Sequence, residues 1–153
     1  MRVVLLLVAV ACALPAAAAD TPAGFDPSAW DDDAVGFFEA LRTIEEGDER
    51  AMVVYFYTDW CGYCRQFEKE LLGTPAVKSF LSGLVAVRIN PENGEQERRI
   101  AQYYGVSGYP AFFVQGRRSR SMTKVERMVV EDGKPRLMAP ERFVETLAAA
   151  AGR

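Results

Sequence analysis

Two apolar runs alternate with segments of helical periodicity in the middle of the chain. Residues 51–57 are apolar on both alternating faces, which predicts a central strand covered on both sides, and residues 84–89 predict a second strand. Helical spacing follows each run, at residues 65–72 and 95–104. A strand–helix–strand–helix order predicts parallel pairing with right-handed crossovers, and therefore an α/β fold.

Further elements are predicted on either side of this unit. An amphipathic helix is expected after residues 31–33, three aspartates whose charge suits a helix N-terminus. Residues 111–114 and 125–130 are expected to form an antiparallel hairpin, because the connection between them is short. Two more helices are predicted, at residues 76–81 and 140–150.

The chain begins with the pattern of a signal peptide. A basic start is followed by an apolar run that is too short to span a bilayer, and then by alanines ending at Ala19. We predict a signal peptide over residues 1–19, a flexible lead-in over 20–30 and one domain over 31–153, located in the periplasm or secreted. Lipid attachment at Cys12 is the second interpretation of the same segment. No transmembrane span is expected in the mature chain.

Composition and charge narrow the classes of function. The net charge of −3 argues against nucleic acid as a partner, and the absence of histidine removes the commonest metal ligand. Cleavage would leave only Cys61 and Cys64 as thiols, whereas structural zinc needs four Cys or His ligands. We therefore predict a monomer without a metal and without a bound cofactor.

Cys61 and Cys64 stand between a predicted strand and a predicted helix. A C-x-x-C at this place is a signature of a redox-active disulfide, and the loop that it closes is too short to stabilise a fold. The positive end of the helix dipole favours a thiolate on Cys61, which would attack a substrate sulfur, while Cys64 would resolve the mixed disulfide. In an oxidising compartment a reduced pair would need a supply of electrons.

The order of three features resembles the thioredoxin superfamily. They are the strand–W-C-x-x-C–helix unit, the strand–helix pair behind it, and G-Y-P before a strand, together covering residues 33–150. The resemblance implies a three-layer α/β/α fold with a central mixed sheet, made of a parallel strand–helix–strand unit and an antiparallel hairpin. The segment YTDWCGYCRQFEKELLGTPAVKSFL is similar to the periplasmic C-terminal domains of the transmembrane reductant conductor DsbD.

The resemblance also implies a substrate-binding surface around the cysteines. Pro110 would follow a cis peptide bond, and Tyr109 before it would offer its backbone to an extended substrate. Trp60 would border the nucleophile, with Gly62 and Tyr63 between the cysteines. The alternative for Trp60 is a role in packing alone. The alternative for Tyr109–Pro110 is an ordinary loop before a strand.

Two positions depart from the thioredoxin pattern. The family has a buried acid six residues before the first cysteine, and this chain has Tyr55 there. Glu68, four residues after Cys64, can approach the cysteines along the helix. We predict that Tyr55 and Glu68 modulate pKa values at the site, the alternative for Glu68 being a solvated helix residue.

These observations predict an exported thiol–disulfide oxidoreductase. It would reduce protein disulfides, with electrons arriving from a membrane reductant conductor. One alternative is a periplasmic disulfide oxidase or isomerase. The other is a thioredoxin-like binding or assembly module without catalysis.

Overall fold

The computed structural model describes residues 24–117 and 122–153 of the chain. The predicted signal peptide, its cleavage after Ala19 and the alternative lipid site at Cys12 lie outside these residues and stay predictions. In the part that the structure describes, no helix combines the length and the apolar character needed to cross a membrane.

The described residues form seven strands, five α-helices and two short helical segments of other types. The strands are β1 (Asp31–Asp32), β2 (Met52–Phe56), β3 (Val85–Ile89), β4 (Ala111–Gln115), β5 (Met122–Lys124), β6 (Met128–Glu131) and β7 (Lys134–Leu137). The α-helices are α1 (Asp33–Glu45), α2 (Gly62–Phe67), α3 (Pro75–Leu81), α4 (Glu95–Tyr103) and α5 (Pro140–Ala151). A π-helix at Glu68–Leu72 continues α2, and a 3₁₀ turn at Pro27–Ala29 precedes β1.

A five-stranded mixed sheet forms the middle layer, in the order β1-β3-β2-β4-β5. The central strand β2 pairs parallel with β3 and antiparallel with β4, and β4 pairs antiparallel with β5. All five residues of β2 are buried, as its apolar pattern on both faces predicted. The parallel unit and the antiparallel pair confirm the predicted mixed sheet.

A hydrophobic core lies on each face of this sheet. Tyr55 of β2 points into one core, where its ring contacts Phe67 of α2, and the Phe67 ring in turn contacts Phe143 of α5. The neighbouring residue Val54 belongs to the other core, together with residues of α1 and α4 such as Phe37. The alternation of side chains along β2 thus supplies both cores, and the three-layer α/β/α architecture is confirmed.

The single strand predicted at residues 125–130 is wrong. Val125 is 3% exposed and belongs to the first core, and its N–H donates to the Phe112 carbonyl just beyond the paired residues of β5. Because Val125 is fixed there, the chain leaves the five-stranded sheet and forms a separate hairpin from β6 and β7. The turn of that hairpin has Asp132 and Gly133 in the left-handed region, with φ of 51° and 71°.

The helix predicted at residues 65–72 also differs in detail. It begins earlier, at Gly62, and its hydrogen bonding changes to the π pattern at Glu68. The three aspartates divide between two elements, since Asp31 and Asp32 form β1 and Asp33 starts α1.

Residues 24–30, which the sequence analysis assigned to the lead-in, lie against the domain. Trp30 is only 9% exposed, and the Phe25 ring lies 5.9 Å from the Trp30 ring and 6.5 Å from the Tyr55 ring. The Gly24 N–H donates to the Gly73 carbonyl over 3.1 Å. This stretch therefore contributes two aromatic side chains to the core beneath the C-x-x-C motif.

Candidate active site

Cys61 and Cys64 form a disulfide at the start of α2. Both are buried, and Cys61 is the N-cap residue of the helix. The Cys64 N–H donates to the Cys61 Sγ over 3.1 Å, so a backbone donor of the first helical turn points at the sulfur. A hydrogen bond from the positive end of a helix lowers the energy of a thiolate, which makes Cys61 the better nucleophile of the reduced pair.

The turn before α2 is held by local hydrogen bonds. The Cys61 N–H donates to the Thr58 carbonyl over 3.1 Å. Arg65, one turn into the helix, donates from Nη1 to the Asp59 carbonyl over 2.9 Å. These bonds fix the path of the chain from the end of β2 to the first helical turn, and so set the position of Cys61.

The loop before β4 lies beside the C-x-x-C motif because of strand pairing. Ala111 of β4 is opposite Phe56, the last residue of β2, so Pro110 comes next to the strand end that leads to the cysteines. The Tyr109–Pro110 peptide bond is cis, which confirms what the resemblance implied. Pro110 is buried, and Tyr109 packs against the core that contains both cysteines.

Exposed aromatic rings surround this loop and the disulfide. Trp60 is 66% exposed and Tyr63 is 76% exposed. The Trp60 ring meets the Tyr109 ring edge-on, with 6.4 Å between the centroids. Because Gly62 is also exposed, the predicted substrate-binding residues other than Pro110 present surface around the disulfide.

Glu92 joins this group, although the sequence analysis did not single it out. The Trp60 Nε1–H donates to both Glu92 carboxylate oxygens, over 3.0 and 3.1 Å. Glu92 follows β3, and the parallel register of Phe56 with Ile89 brings the ends of β2 and β3 together. The predicted parallel pairing of these two strands was the signal that could have identified Glu92, because the carboxyl ends of neighbouring parallel strands share one edge of a sheet.

Tyr55 and Glu68 are in direct contact. The Tyr55 hydroxyl donates to Glu68 Oε1 over 2.9 Å. Burial raises the pKa of Glu68, and the hydrogen bond from Tyr55 offsets part of that rise. Burial, with the Glu68 carboxyl beside it, also raises the pKa of Tyr55, so the phenol stays protonated.

Aromatic rings enclose Tyr55 in the core that also contains the two cysteines. Its side chain has no exposed surface. The rings in contact with it belong to Phe25, Trp30, Tyr57, Phe67 and Phe112. An ionised group would be costly in this environment, which explains why a tyrosine is compatible with it.

Within residues 24–117 and 122–153, no three Cys, Asp or Glu side chains come together as a metal site would require.

This fold, with a C-x-x-C disulfide at the start of a helix and a cis-proline loop, defines a thioredoxin-like domain. Residues 37–130 match the family model described as a thioredoxin-like domain, and the chain belongs to that family. Protein disulfide isomerase-like 2-1 of Oryza sativa subsp. japonica is 35% identical over 81 residues, which are 52% of this chain and 21% of that protein. The thiol:disulfide interchange protein DsbD of Photorhabdus laumondii is 27% identical over 73 residues, 47% of this chain and 13% of that protein. The chain thus matches about a fifth or less of the length of these relatives.

Two solved structures share the fold. The DsbH oxidoreductase superposes with a TM-score of 0.62 at 18% identity, covering 94% of this chain and 95% of that one. The oxidised C-terminal domain of Neisseria meningitidis DsbD gives a TM-score of 0.58 at 20% identity, over 79% of this chain and 98% of that one.

Proposed function

We propose that this protein is an exported thiol–disulfide oxidoreductase that reduces disulfides in other proteins and works as a monomer. The observation that carries the proposal is the Cys61 sulfur at the helix start, with a backbone N–H aimed at it and the cis-proline loop beside it. The substrate would bind in a groove beside the disulfide, which we call the predicted groove. Its residues would be Trp60, Gly62, Tyr63, Tyr109 and Pro110.

The reaction takes two exchange steps. The Cys61 thiolate attacks one sulfur of a substrate disulfide, forming a mixed disulfide, and the other substrate sulfur leaves as a thiolate with the electron pair and takes up a proton. Cys64 then loses its proton and attacks Cys61 Sγ, so the second substrate sulfur leaves in turn. The substrate gains two electrons and two protons, and the protein ends with the Cys61–Cys64 disulfide.

Each further turnover needs a dithiol donor that returns two electrons and two protons to this disulfide. We assign that role to a membrane reductant conductor, on the basis of the likeness to the thiol:disulfide interchange protein DsbD. A periplasmic or secreted location, after removal of residues 1–19, is part of the same proposal.

The Tyr55–Glu68 pair would handle protons during the exchange. Glu68 is half-buried, its raised pKa favours the neutral acid, and its partner Tyr55 lies in the same core as both cysteines. A carboxyl near the site can release a proton as the neutral acid, or accept one as the carboxylate, when Cys64 changes its protonation state. The pair would thus take the place of the buried acid found at the Tyr55 position in thioredoxins.

Trapping with Cys64→Ser tests the function directly. Removal of the resolving thiol should leave protein substrates covalently attached to Cys61 and releasable by dithiothreitol. The control is Cys61→Ser, which keeps only the Cys64 thiol and should trap nothing. Absence of any Cys61-dependent adduct from an extract of exported proteins would contradict exchange by this route.

The reduction potential tests the direction of electron flow. Equilibration with glutathione should place the Cys61–Cys64 couple near the reducing end of the known series, about −270 mV as in thioredoxin. A value close to about −120 mV, as in strongly oxidising proteins, would favour the oxidase interpretation.

A further inference from the structure

Hydrogen bonds hold Glu92 at the edge of the aromatic surface around the disulfide. Its N–H donates to the side-chain oxygen of Asn90 over 3.0 Å, and the Asn90 N–H donates to Asp33 Oδ1 over 3.0 Å. Its carboxylate receives the Trp60 indole N–H on both oxygens. The negative charge is therefore positioned from the backbone side and from the side-chain side before any substrate arrives.

Three chain segments meet at this carboxylate. Trp60 comes from the turn after β2, Glu92 from the turn after β3, and Tyr109 from the loop before β4. The two rings are in edge contact, and the Glu92 charge contributes, after burial, to a raised pKa of Tyr109. The carboxylate thus lies within electrostatic reach of both rings that border the predicted groove.

A cationic side chain fits the chemistry of this corner. The single indole N–H leaves most lone-pair sites of the carboxylate able to accept hydrogen bonds from Lys or Arg. The exposed faces of Trp60 and Tyr63 add cation–π attraction for the same groups. The positive charge of Arg65 lies beside Gly62, where its guanidinium would be 3.9 Å from an added Cβ. This charge repels a cationic substrate residue, so the preference for Lys or Arg depends on which part of the motif that residue meets.

We propose that Glu92, positioned by Trp60, is a specificity-determining residue that favours disulfide substrates with Lys or Arg next to the cysteine that Cys61 attacks. The inference rests on the proposed reductase function and names its substrate class. A charge at the edge of a binding surface acts mainly on the rate of association, and salt screens it.

The test uses three synthetic peptides, each with one intramolecular disulfide. They differ only in the residue beside the first cysteine, which is Arg, citrulline or Glu, and citrulline keeps the shape of Arg without its charge. The protein is reduced, freed of reductant and mixed with each peptide, and the second-order rate constant is divided by that of dithiothreitol to remove intrinsic differences between the peptides. The Arg peptide should react about two- to fivefold faster than the citrulline peptide at low ionic strength, and the Glu peptide more slowly than both.

Glu92→Gln separates charge from shape. The Gln side-chain oxygen can still accept the Trp60 N–H, so the rate with the Arg peptide should fall more than the rate with the citrulline peptide, and the ratio of the two rates should approach one. The matched control is Glu70→Gln. It removes an exposed carboxylate that accepts hydrogen bonds from Gln66 and not from Trp60, so it should keep the wild-type preference. In the wild-type protein, about 0.5 M salt should reduce the preference as Glu92→Gln does.

The outcomes separate the two levels of the proposal. Reduction of all three peptides with the same preference in wild type and Glu92→Gln would overturn the role of Glu92 and leave the reductase function standing. Failure of the reduced wild-type protein to reduce any peptide that dithiothreitol reduces would overturn the proposed function and this inference with it.

Discussion

Glu68 and Tyr55 show how one hydrogen bond can make an unusual pair of residues compatible with a buried site. The phenol supplies a donor that needs no charge, and the carboxyl approaches from the next helix rather than from the strand. Glu68 was predicted to act near the cysteines from its helical spacing, and Tyr55 from the resemblance, which places a buried acid at its position in thioredoxins. Their bond was not predicted, because it depends on the distance between the π-helix and β2, which spacing does not fix.

Glu68→Gln should change how stability depends on pH. Burial raises the pKa of Glu68 in the folded protein, so folding favours the protonated acid, and this contribution is present at low pH. It is lost as the pH rises from the ordinary glutamate pKa of about 4.3 through the raised value. The free energy of unfolding of the wild type should therefore fall across this window relative to that of Glu68→Gln, as urea titrations at a series of pH values would measure.

The control for this experiment is Glu70→Gln, on the same π-helix but exposed to solvent. It should show the pH dependence of the wild type. Parallel curves for the wild type and Glu68→Gln would mean that the Glu68 carboxyl is as well solvated in the folded protein as in the unfolded chain.

The π-helix at Glu68–Leu72 connects the redox motif to the N-terminal segment. Gly73 caps its C-terminal end, and the Gly73 carbonyl accepts a hydrogen bond from the Gly24 N–H. Phe25, next to Gly24, contacts the ring of Tyr55. A strict 3.6-residue pattern cannot reveal a π-helix, since the apolar spacing in residues 65–72 fits an α-helix as well. The packing of the N-terminal segment was missed for a similar reason, because its Pro and Gly residues are typical of mobile chain ends.

Gly73→Ala should destabilise the protein by about 1–3 kcal/mol. A Cβ at this position would lie 2.6 Å from the Phe25 backbone nitrogen and 3.0 Å from the Glu68 carbonyl oxygen, so the N-terminal segment must move away. Urea unfolding would measure the loss, and hydrogen exchange would locate it at residues 24–30.

Gly83→Ala is the matched control for this change. The nearest atom to its added Cβ is the flexible end of the Arg153 side chain, at 3.2 Å, so a change of about 0.5 kcal/mol or less is expected. Equal stabilities of the two variants would show that residues 24 and 25 do not remain against Gly73 in solution.

At the scale of the whole molecule, two cores share one sheet, and the cysteines belong to only one of them. Phe143 of α5 has no exposed surface and contacts the rings of Phe67 and Phe112. The last helix thus packs against the helix that carries the redox motif. Its packing supports the position of Cys61 and Cys64 at a distance from them along the chain.

Phe143→Ala should cost about 3–5 kcal/mol of unfolding free energy, because it leaves a cavity between α5 and α2. Phe38→Ala, on the exposed side of α1 where Phe38 is 53% exposed, should cost about 1 kcal/mol or less. Fluorescence of the buried Trp30 during urea unfolding measures both. A loss at Phe143 no larger than at Phe38 would contradict the packing of α5 on the redox helix.

The central elements were predictable because their patterns admit one interpretation. The run at residues 51–57 is too short and too apolar on both faces for anything but a buried strand, and the C-x-x-C motif lies where that strand meets a helix. The region after residue 122 was not predictable from apolar character alone, because Val125 serves as an anchor between two short strands rather than as part of one. The Asp132-Gly133 pair was a usable signal for the second hairpin, since left-handed turns favour these residues.

The strands at the two ends of the five-stranded sheet have a consequence for behaviour in concentrated solution. β1 has two residues and β5 has three, while the strands between them have five. Unpaired backbone at a sheet edge is where another copy can add a strand and begin to aggregate, and short edges leave little of it. The exposed carboxylate of Asp31 also repels an approaching copy at the β1 edge, whereas Asp32 is paired with Arg88. Under the proposed export, the chain would cross a membrane unfolded and refold among crowded neighbours, where these two short strands would protect it from edge-to-edge association.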